Sequence, residues 1–535
     1  MKMLNNEKAR LGVKKKARRR RPSARQHAIS PTPFIPPSKE KSQAKVYLSK
    51  ITGWIKAHKF ILILLLIIFL GGFLRIYDLG AESIWLDEAE SIIQAEQSLS
   101  TVIETAIDTH NSPPLYFVTL HFQMLLFGSG ETAVRFPSAI FGILSLFFIY
   151  KIGCRLFNKK IGLISSFLLA ISTFHIFYSQ EARPYSLFLL MTLLSFYFFI
   201  QILKINNKWY YLGYAIANIL LCYSHLFGLF VIMSQVIYFA LFWKKYKQQR
   251  LKFAGVQIAS VLAFIPLVIL VMPRLSEIIE GGGGSIGWIP EPSFMSIIRT
   301  FTDFAGNNYL ILMVFFILCL IGLISIRMLN GKWTFHFDSS GELILILLWL
   351  SFPIIIPFIL SMILSPMYVN RYLIGALPAF LILIAKGTGS FPNVIVTYII
   401  VALIALLALI SLTVYYTEPM KEQWREAVDF IEYRAQTNDS VIFCAYYTQN
   451  PFDYYYEGDL EKYGIVWGET DTQKIDATVD NAIAEKERLW LVLSNTGGAI
   501  TEEHLLNRFG SESVIAENEF TGVKVYLFDL HVESP

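Results

Sequence analysis

The chain has 535 residues, 54% of them hydrophobic and only 16% charged, and its mean hydropathy is +0.49. A soluble globular chain of this length carries far more charge, so that class is excluded. The net charge of +5 is unevenly placed, with much of the excess in the run Lys14-Lys15-Lys16-Ala17-Arg18-Arg19-Arg20-Arg21.

Residues 1–50 read as a disordered basic tail, held in the cytoplasm near anionic lipid by its cations. A nucleic-acid-binding arm is the alternative reading of such a run. The first apolar segment lies too far along for a cleavable signal peptide, and no small-residue cleavage site follows it. Cys154, Cys222, Cys319 and Cys444 show no CxxC spacing, so they imply neither a disulfide framework nor a zinc site.

Runs such as Phe60–Leu74, Ile311–Ile326 and Val394–Leu412 read as membrane spans, because about 20 apolar residues cross a bilayer. About eleven spans are expected, centred near residues 67, 145, 168, 193, 216, 234, 262, 318, 353, 378 and 403. With the tail inside, Lys151, Arg155, Lys159, Lys160, Lys204 and Lys208 fall in inner connections. So do the group from Lys244 to Lys252, and Arg327, Lys332 and Lys386. The outer connections hold mainly Arg135, Arg183, Arg274, Arg299 and Arg371, the bias expected of a multi-pass protein of the cytoplasmic membrane. An odd number of spans puts the C-terminus outside.

Residues 51–415 then form the membrane domain, with a large first outer loop at 80–135. Within that loop Leu115–Phe127 is apolar but too short to cross, so it lies along the surface or partly re-enters. Polarity rises over residues 416–535, which read as a small extracytoplasmic α/β domain. Its expected helices are Trp424–Ala435 and Glu502–Phe509, and its expected strands Val441–Ala445, Leu489–Ser494 and Val523–Leu530. The fold class is thus an α-helical polytopic membrane protein with a small C-terminal α/β domain.

Polar groups gather at the outer ends of the spans. Asp87 and Glu88 follow the first span in Ile84-Trp85-Leu86-Asp87-Glu88-Ala89-Glu90. His110 opens His110-Asn111-Ser112-Pro113-Pro114-Leu115-Tyr116. Glu181, Arg183 and Tyr185 lie between spans three and four, His225 between five and six, and Arg371 and Tyr372 just before span ten. A carboxylate can take the proton of an attacking hydroxyl, a service worth about 10²–10⁴-fold in rate. An arginine can hold a phosphate leaving group through paired hydrogen bonds, where fixed donors best stabilise developing charge. A lipid-linked phosphate can enter such a site sideways from the bilayer.

Plainer readings stand beside these. Asp87 also suits a helix start, and Glu88 either orients its neighbour or is solvated. Arg371 also suits an interfacial snorkelling arginine. Arg183 could pair with Glu181, and His225 and His110 could serve only helix ends. The tract Gly281–Gly284 is a connector or the hinge of a lid.

On the motifs IWLDEAE, HNSPPLYF, RFPSAIFG, QEARPYSLF, YSHLFGLF and YVNRYLIGALPAF, the sequence resembles GT-C type membrane glycosyltransferases. The branch is the family 39-like one of protein O-mannosyltransferases and aminoarabinose transferases, and the likeness covers about residues 60–400. The resemblance implies an inverting transfer of a hexosyl or pentosyl group from a polyprenyl-phosphate sugar. The acceptor would be an extracytoplasmic protein, lipid or cell-envelope glycan. It places Asp87 as general base or acceptor-orienting group and Arg371 near the donor phosphate. Glu88 joins Asp87 as a catalytic candidate, Arg183, Tyr372 and His225 join Arg371 as donor-phosphate candidates, and His110, Tyr185 and Glu181 are candidates to bind the acceptor or shape the site. No dense ligand cluster is present, so no obligatory metal is expected. The rival readings are a transporter or flippase of a lipid-linked sugar and a non-catalytic scaffold.

Overall fold

The computed structural model describes residues 39–110, 113–279, 289–329 and 332–531. The basic run at 14–21 and the glycine tract at 281–284 lie outside the described residues. Contacts divide the chain into Met1–Lys59 and Phe60–Pro535. In the first unit the described part is helical from Lys39 onward, and everything below concerns the second.

Helix α1 (Lys39–Ile76) carries the first apolar run. The loop after it folds into α2 (Leu86–Glu96), α3 (Leu99–His110) and α4 (Leu115–Phe127). Then come α5 (Glu131–Leu156), α6 (Lys159–Ala170), α7 (Thr173–Ser179), α8 (Tyr185–Lys204), α9 (Lys208–Ser224), α10 (Gly228–Leu241) and α11 (Arg250–Ile279). After α12 (Phe294–Phe304) and α13 (Tyr309–Gly322), strands β1 (Ile324–Leu329) and β2 (Lys332–Phe337) pair as an antiparallel hairpin. Helix α14 (Gly341–Ile363), a 3-10 segment Asn370–Ala376, α15 (Leu377–Gly389) and α16 (Val394–Thr417) complete the bundle.

Among the described residues, 7 helices are long and apolar enough to cross a membrane, or up to 9 with two bent pairs. Those pairs are α6–α7, bent by 62°, and α12–α13, bent by 95°. Every span centre expected from the sequence falls in a helix. The difference in number lies in α9, with 17 residues, and α10, with 14. At 1.5 Å per residue α10 is about 21 Å long, short of a hydrocarbon core of about 30 Å. The run Ile311–Ile326, expected as one span, instead stops as helix at Gly322, and β-branched Ile324 and Ile326 open β1.

Close packing sets where the helix ends go. A Cβ on Gly153 of α5 would stand 2.7 Å from the Gly162 Cα of α6, so the two backbones meet only because both residues lack side chains. Trp349 of α14 is fully buried and stacks on Phe196 of α8 with ring centroids 3.7 Å apart. Its Nε1 donates to the Gly375 carbonyl at 2.8 Å, which pins the 3-10 segment against the bundle.

After α16, helices α17 (Trp424–Glu432) and α18 (Gln449–Tyr455) join strands β3 (Ser440–Cys444) and β4 (Glu461–Ile465). Helix α19 (Thr472–Ile483), β5 (Arg488–Leu493), α20 (Thr501–Phe509), β6 (Val514–Phe520) and β7 (Val523–Asp529) follow. The sheet order is β4-β3-β5-β7-β6, with β4, β3 and β5 parallel and β7 and β6 antiparallel. Residues alternate between faces along each strand. Val441, Phe443, Trp490 and Val492 therefore pack with α17 and α18, while Ile442, Cys444, Leu489 and Leu491 pack with α19 and α20. A sheet covered on both faces explains the unbroken apolar runs of β3 and β5.

Candidate active site

Asp87 and Glu88 occupy the first turn of α2, where the helix dipole favours carboxylates. Neighbours on a helix point about 100° apart, and the two carboxylates accordingly have different surroundings. Glu88 has no exposed surface. Its Oε1 and Oε2 accept from Arg135 Nε and Nη2 of α5 at 2.8 and 2.6 Å, a bidentate pair. Lys421 Nζ stands 3.1 Å from Oε1, and the Ala182 amide donates to the same oxygen at 2.8 Å. Burial works against the charge of Glu88, but Arg135 and Lys421 outweigh it and hold the carboxyl down at about 2. Arg135 also donates to the carbonyls of Leu79, Glu82 and Ser83, so one ion pair ties the end of α1, the start of α2 and α5 together. The solvated alternative for Glu88 is therefore corrected, because every side of it is occupied by protein.

Asp87 faces the other way and keeps 16% of its side chain exposed. Its Oδ2 lies 3.4 Å from Arg371 Nη2 and 3.8 Å from Arg183 Nε. Arg183 also donates through Nη1 to the Asp87 carbonyl at 3.1 Å and to Ser91 Oγ at 3.2 Å, holding the first turn of α2 in place. Arg183 thus pairs with Asp87 rather than with Glu181. The Tyr185 ring lies 6.0 Å from each of the two guanidiniums, and Tyr372 stands 5.8 Å from that of Arg371. Tyr185 and Tyr372 stack at 6.2 Å. His225 stands 5.0 Å from Tyr372 and stacks on Phe188 at 4.9 Å. Its Nδ1 accepts from the Phe227 amide at 3.2 Å, which assigns the ring proton to Nε2 and makes the imidazole neutral. The result is a carboxylate and two guanidiniums walled by aromatic rings.

Glu181 is fully buried, and neither of its carboxyl oxygens has a hydrogen-bond partner among the described residues. Burial pushes it up to about 8, with Glu88 and Asp87 adding and Lys421 and Arg371 opposing. Burial thus favours the uncharged form of this acid beside the charged Glu88 and Asp87. His110 ends α3, and its side chain lies outside the described residues.

Three participants escaped the sequence reading as site residues. Arg135 counted there as a loop cation and as the first residue of RFPSAIFG, with no role in the site. Lys421, in the polar linker after α16, donates to the Gln180 carbonyl at 2.9 Å as well as pairing with Glu88. Arg75, the penultimate residue of α1, is buried and donates to the carbonyls of Leu169 and Ala170 at the α6–α7 bend and meets His175 Nδ1 at 2.6 Å. Gln180 then donates to the Tyr77 carbonyl at 2.7 Å and accepts from the Tyr415 hydroxyl at 2.6 Å, joining α1 to α16. A lone arginine inside an apolar segment is costly unless paired, and that was the available signal for Arg75 and Arg135. Behind the Glu88 pair a cavity of about 170 Å³ is lined by Glu82, Arg135, Gln180, Tyr415 and Lys421. No group of three or more His, Cys, Asp or Glu side chains placed to hold a metal occurs among the described residues.

A family model described as dolichyl-phosphate-mannose-protein mannosyltransferase matches residues 111–272. The fold is similar to that of ArnT from Cupriavidus metallidurans, at a TM-score of 0.56 and 13% identity over 91% of this chain and 100% of that one. The chain thus has a GT-C type fold, and the family match over residues 111–272 agrees with the family 39-like resemblance of its motifs. ArnT bound to undecaprenyl phosphate aligns with a TM-score of 0.54 at 14% identity, covering 90% of this chain and 99% of that one. The Archaeoglobus fulgidus oligosaccharyltransferase aligns with a TM-score of 0.51 at 12% identity, covering 82% and 70%. A relative from Aquifex aeolicus, whose description assigns no activity, is 24% identical over 198 residues. That match spans 36% of this chain and 39% of the relative's length. In this fold Asp87, Arg183 and Arg371 come together where α2, α8 and the 3-10 segment begin.

Proposed function

We propose that this protein is an inverting glycosyltransferase that moves a monosaccharide from a polyprenyl-phosphate carrier to an acceptor outside the cytoplasmic membrane. The observation that carries the reading is the Asp87 carboxylate 3.4 Å from the Arg371 guanidinium, part exposed among aromatic rings. The mannosyltransferase family match and the fold shared with an undecaprenyl-phosphate-bound protein support a lipid-phosphate donor.

In this reading the donor phosphate takes Arg371 as its partner and Asp87 faces the acceptor hydroxyl. The acceptor oxygen bonds to the anomeric carbon from the face opposite the phosphate. The carbon–oxygen bond to phosphate breaks, its electron pair leaves on the phosphate, and Arg371 stabilises the charge. The hydroxyl proton passes to Asp87. Arg183 positions Asp87 through its backbone, and Tyr185, Tyr372 and His225 exclude water. Glu88 is a positioning residue, because all its acceptor capacity is spent on Arg135, Lys421 and Ala182. The loop-cation bias supports a cytoplasmic N-terminus, with this end of the bundle and the α/β unit outside.

A flippase reading calls for broken, charged helices halfway across the bilayer. The α6–α7 bend takes its buried charge from Arg75, the penultimate residue of α1, and so sits at the same end as Asp87. The deciding experiment uses full-length protein in nanodiscs with polyprenyl-phosphate monosaccharides. Asp87→Asn is expected to lower turnover by at least about 10²-fold with an unchanged melting temperature. Turnover within a few-fold of wild type would remove Asp87 from the chemistry.

A further inference from the structure

The α/β unit is docked beside the candidate active site. Tyr455 of α18 accepts from the Ile84 amide at 2.6 Å, and Ser83 Oγ donates to Glu426 of α17 at 2.8 Å. Strands β4, β3 and β5 run parallel, and the chain crosses from β3 to β4 on one side and returns to β5 on the other. In open α/β sheets, such a reversal leaves a crevice beyond the carboxyl ends of the strands, where ligands bind.

The residues at that edge suit one kind of ligand. Tyr446 follows β3 and is 55% exposed; Trp467 follows β4 and is 39% exposed. A Cβ on Gly497 would collide with the indole ring of Trp467, so that ring rests on backbone. A Cβ on Gly464 would collide with the Cβ and Cα of Tyr446, so the missing side chain lets Tyr446 leave the end of β3 close against β4. The loops beneath them are tied together, since the Gly468 amide donates to the Thr496 carbonyl at 3.0 Å and the Ala445 amide to the Ser494 carbonyl at 3.2 Å. Polar groups border the rings: Asn495 Nδ2 donates to the Tyr447 hydroxyl at 3.2 Å. Tyr447 in turn stands within electrostatic reach of Glu90 and Glu422. Glu90 is three residues beyond Asp87 on α2, a spacing that makes them helix-surface neighbours.

We propose that this edge, with Trp467 and Tyr446 as stacking platforms, binds a neutral saccharide and makes the acceptor a glycan. The proposal rests on the transferase reading above and names its acceptor class. A pyranose has flat C–H faces that lose water favourably against an aromatic ring, and a rim of hydroxyls that needs fixed polar partners. The Tyr447 hydroxyl and the Asn495 amide at the rim are uncharged partners for hydroxyls, which suits a neutral acceptor. Capture here holds the chain near Asp87 and leaves its end free to enter the site.

The test is fluorescence polarisation with full-length protein in nanodiscs, using labelled neutral oligosaccharides of hexose and of N-acetylhexosamine, and an unglycosylated peptide. At least one oligosaccharide is expected to bind saturably. Trp467→Ala and Tyr446→Ala are each expected to raise Kd at least about tenfold, and Trp467→Phe less than about threefold, with melting temperature as the folding control. Absence of saturable saccharide binding, survival of binding in the doubly substituted protein, or capture of the peptide alone would overturn the proposal. Asp87→Asn is expected to bind as tightly as wild type. Transfer that survives Asp87→Asn would sink the transferase reading, whereas missing saccharide binding with transfer still dependent on Asp87 would sink only this proposal.

Discussion

Asp87, in the first turn of α2, and Arg371, in the 3-10 segment before α15, meet at 3.4 Å with 16% and 20% of their side chains exposed. Both are held from behind. Arg183 fixes the backbone of the first, and Trp349 and Asn370 fix the segment that carries the second. An acid–base pair set this way opens toward a substrate without rearranging its supports.

Arg371→Lys keeps the charge but loses the planar fork that grips two phosphate oxygens. The expected result is a donor KM raised by about tenfold or more, with kcat changed less. Steady-state kinetics with varied donor would show it. An equal fall in kcat with unchanged KM would move Arg371 away from the phosphate.

Glu88 and Arg135 are buried as a bidentate pair, so removing either partner strands the other's charge. Glu88→Ala and Arg135→Ala are each expected to cost about 3–5 kcal/mol. The double variant should cost less than the sum, with a coupling of about 0.5–3 kcal/mol. Denaturant unfolding in detergent measures all three. Strict additivity would mean the contact contributes nothing to folding.

The same network sets a pH dependence of opposite sign at its two acids. Glu88 is held at about 2, below the ordinary glutamate value of 4.5, so its contribution is present above 4.5 and lost as pH falls toward 2. Glu181 is raised to about 8, so the folded state keeps a proton that the unfolded state sheds above 4.5. Stability due to Glu181 therefore declines as pH rises through that window, at up to about 1.4 kcal/mol per unit, and levels off above 8. Glu181→Gln keeps the uncharged shape and should flatten the decline in a melting-temperature series between pH 5 and about 8. An unchanged slope would mean that Glu181 is ionised in the folded protein.

How much of this was legible in the sequence follows from cost. Asp87, Arg183 and Arg371 stand out because charges at the ends of apolar segments are expensive, and expense signals use. Lys421 gives no such signal, since a lysine in a polar linker is ordinary and its meeting with Glu88 exists only after the linker folds back. The sheet divides the same way. The central strands β3, β5 and β7 are apolar on buried faces and readable. Glu461–Ile465 and Val514–Phe520 are the two edges of the sheet, half exposed and rich in Glu, Lys and Asn, and they are absent from the expected strands. Span centres are readable from composition, but the bends at α6–α7 and α12–α13 are not, because Arg75 supplies the support for the first from another part of the chain.

Trp349 offers a separation of positioning from chemistry. Its ring stacks on Phe196, while its Nε1 holds the Gly375 carbonyl four residues beyond Arg371. Trp349→Phe retains an aromatic ring for stacking and deletes one hydrogen bond, worth about 0.5–1.5 kcal/mol. The freed 3-10 segment should let Arg371 wander, so donor KM should rise several-fold while kcat at saturating donor is nearly kept. A variant that merely unfolded would lose kcat and active fraction together, leaving KM unchanged. Trp349→Leu removes the stack as well and is expected to lower the melting temperature further. If Trp349→Phe matched wild type in donor KM, the position of Arg371 would depend on the network of Thr300, Asn370 and Asp303 alone.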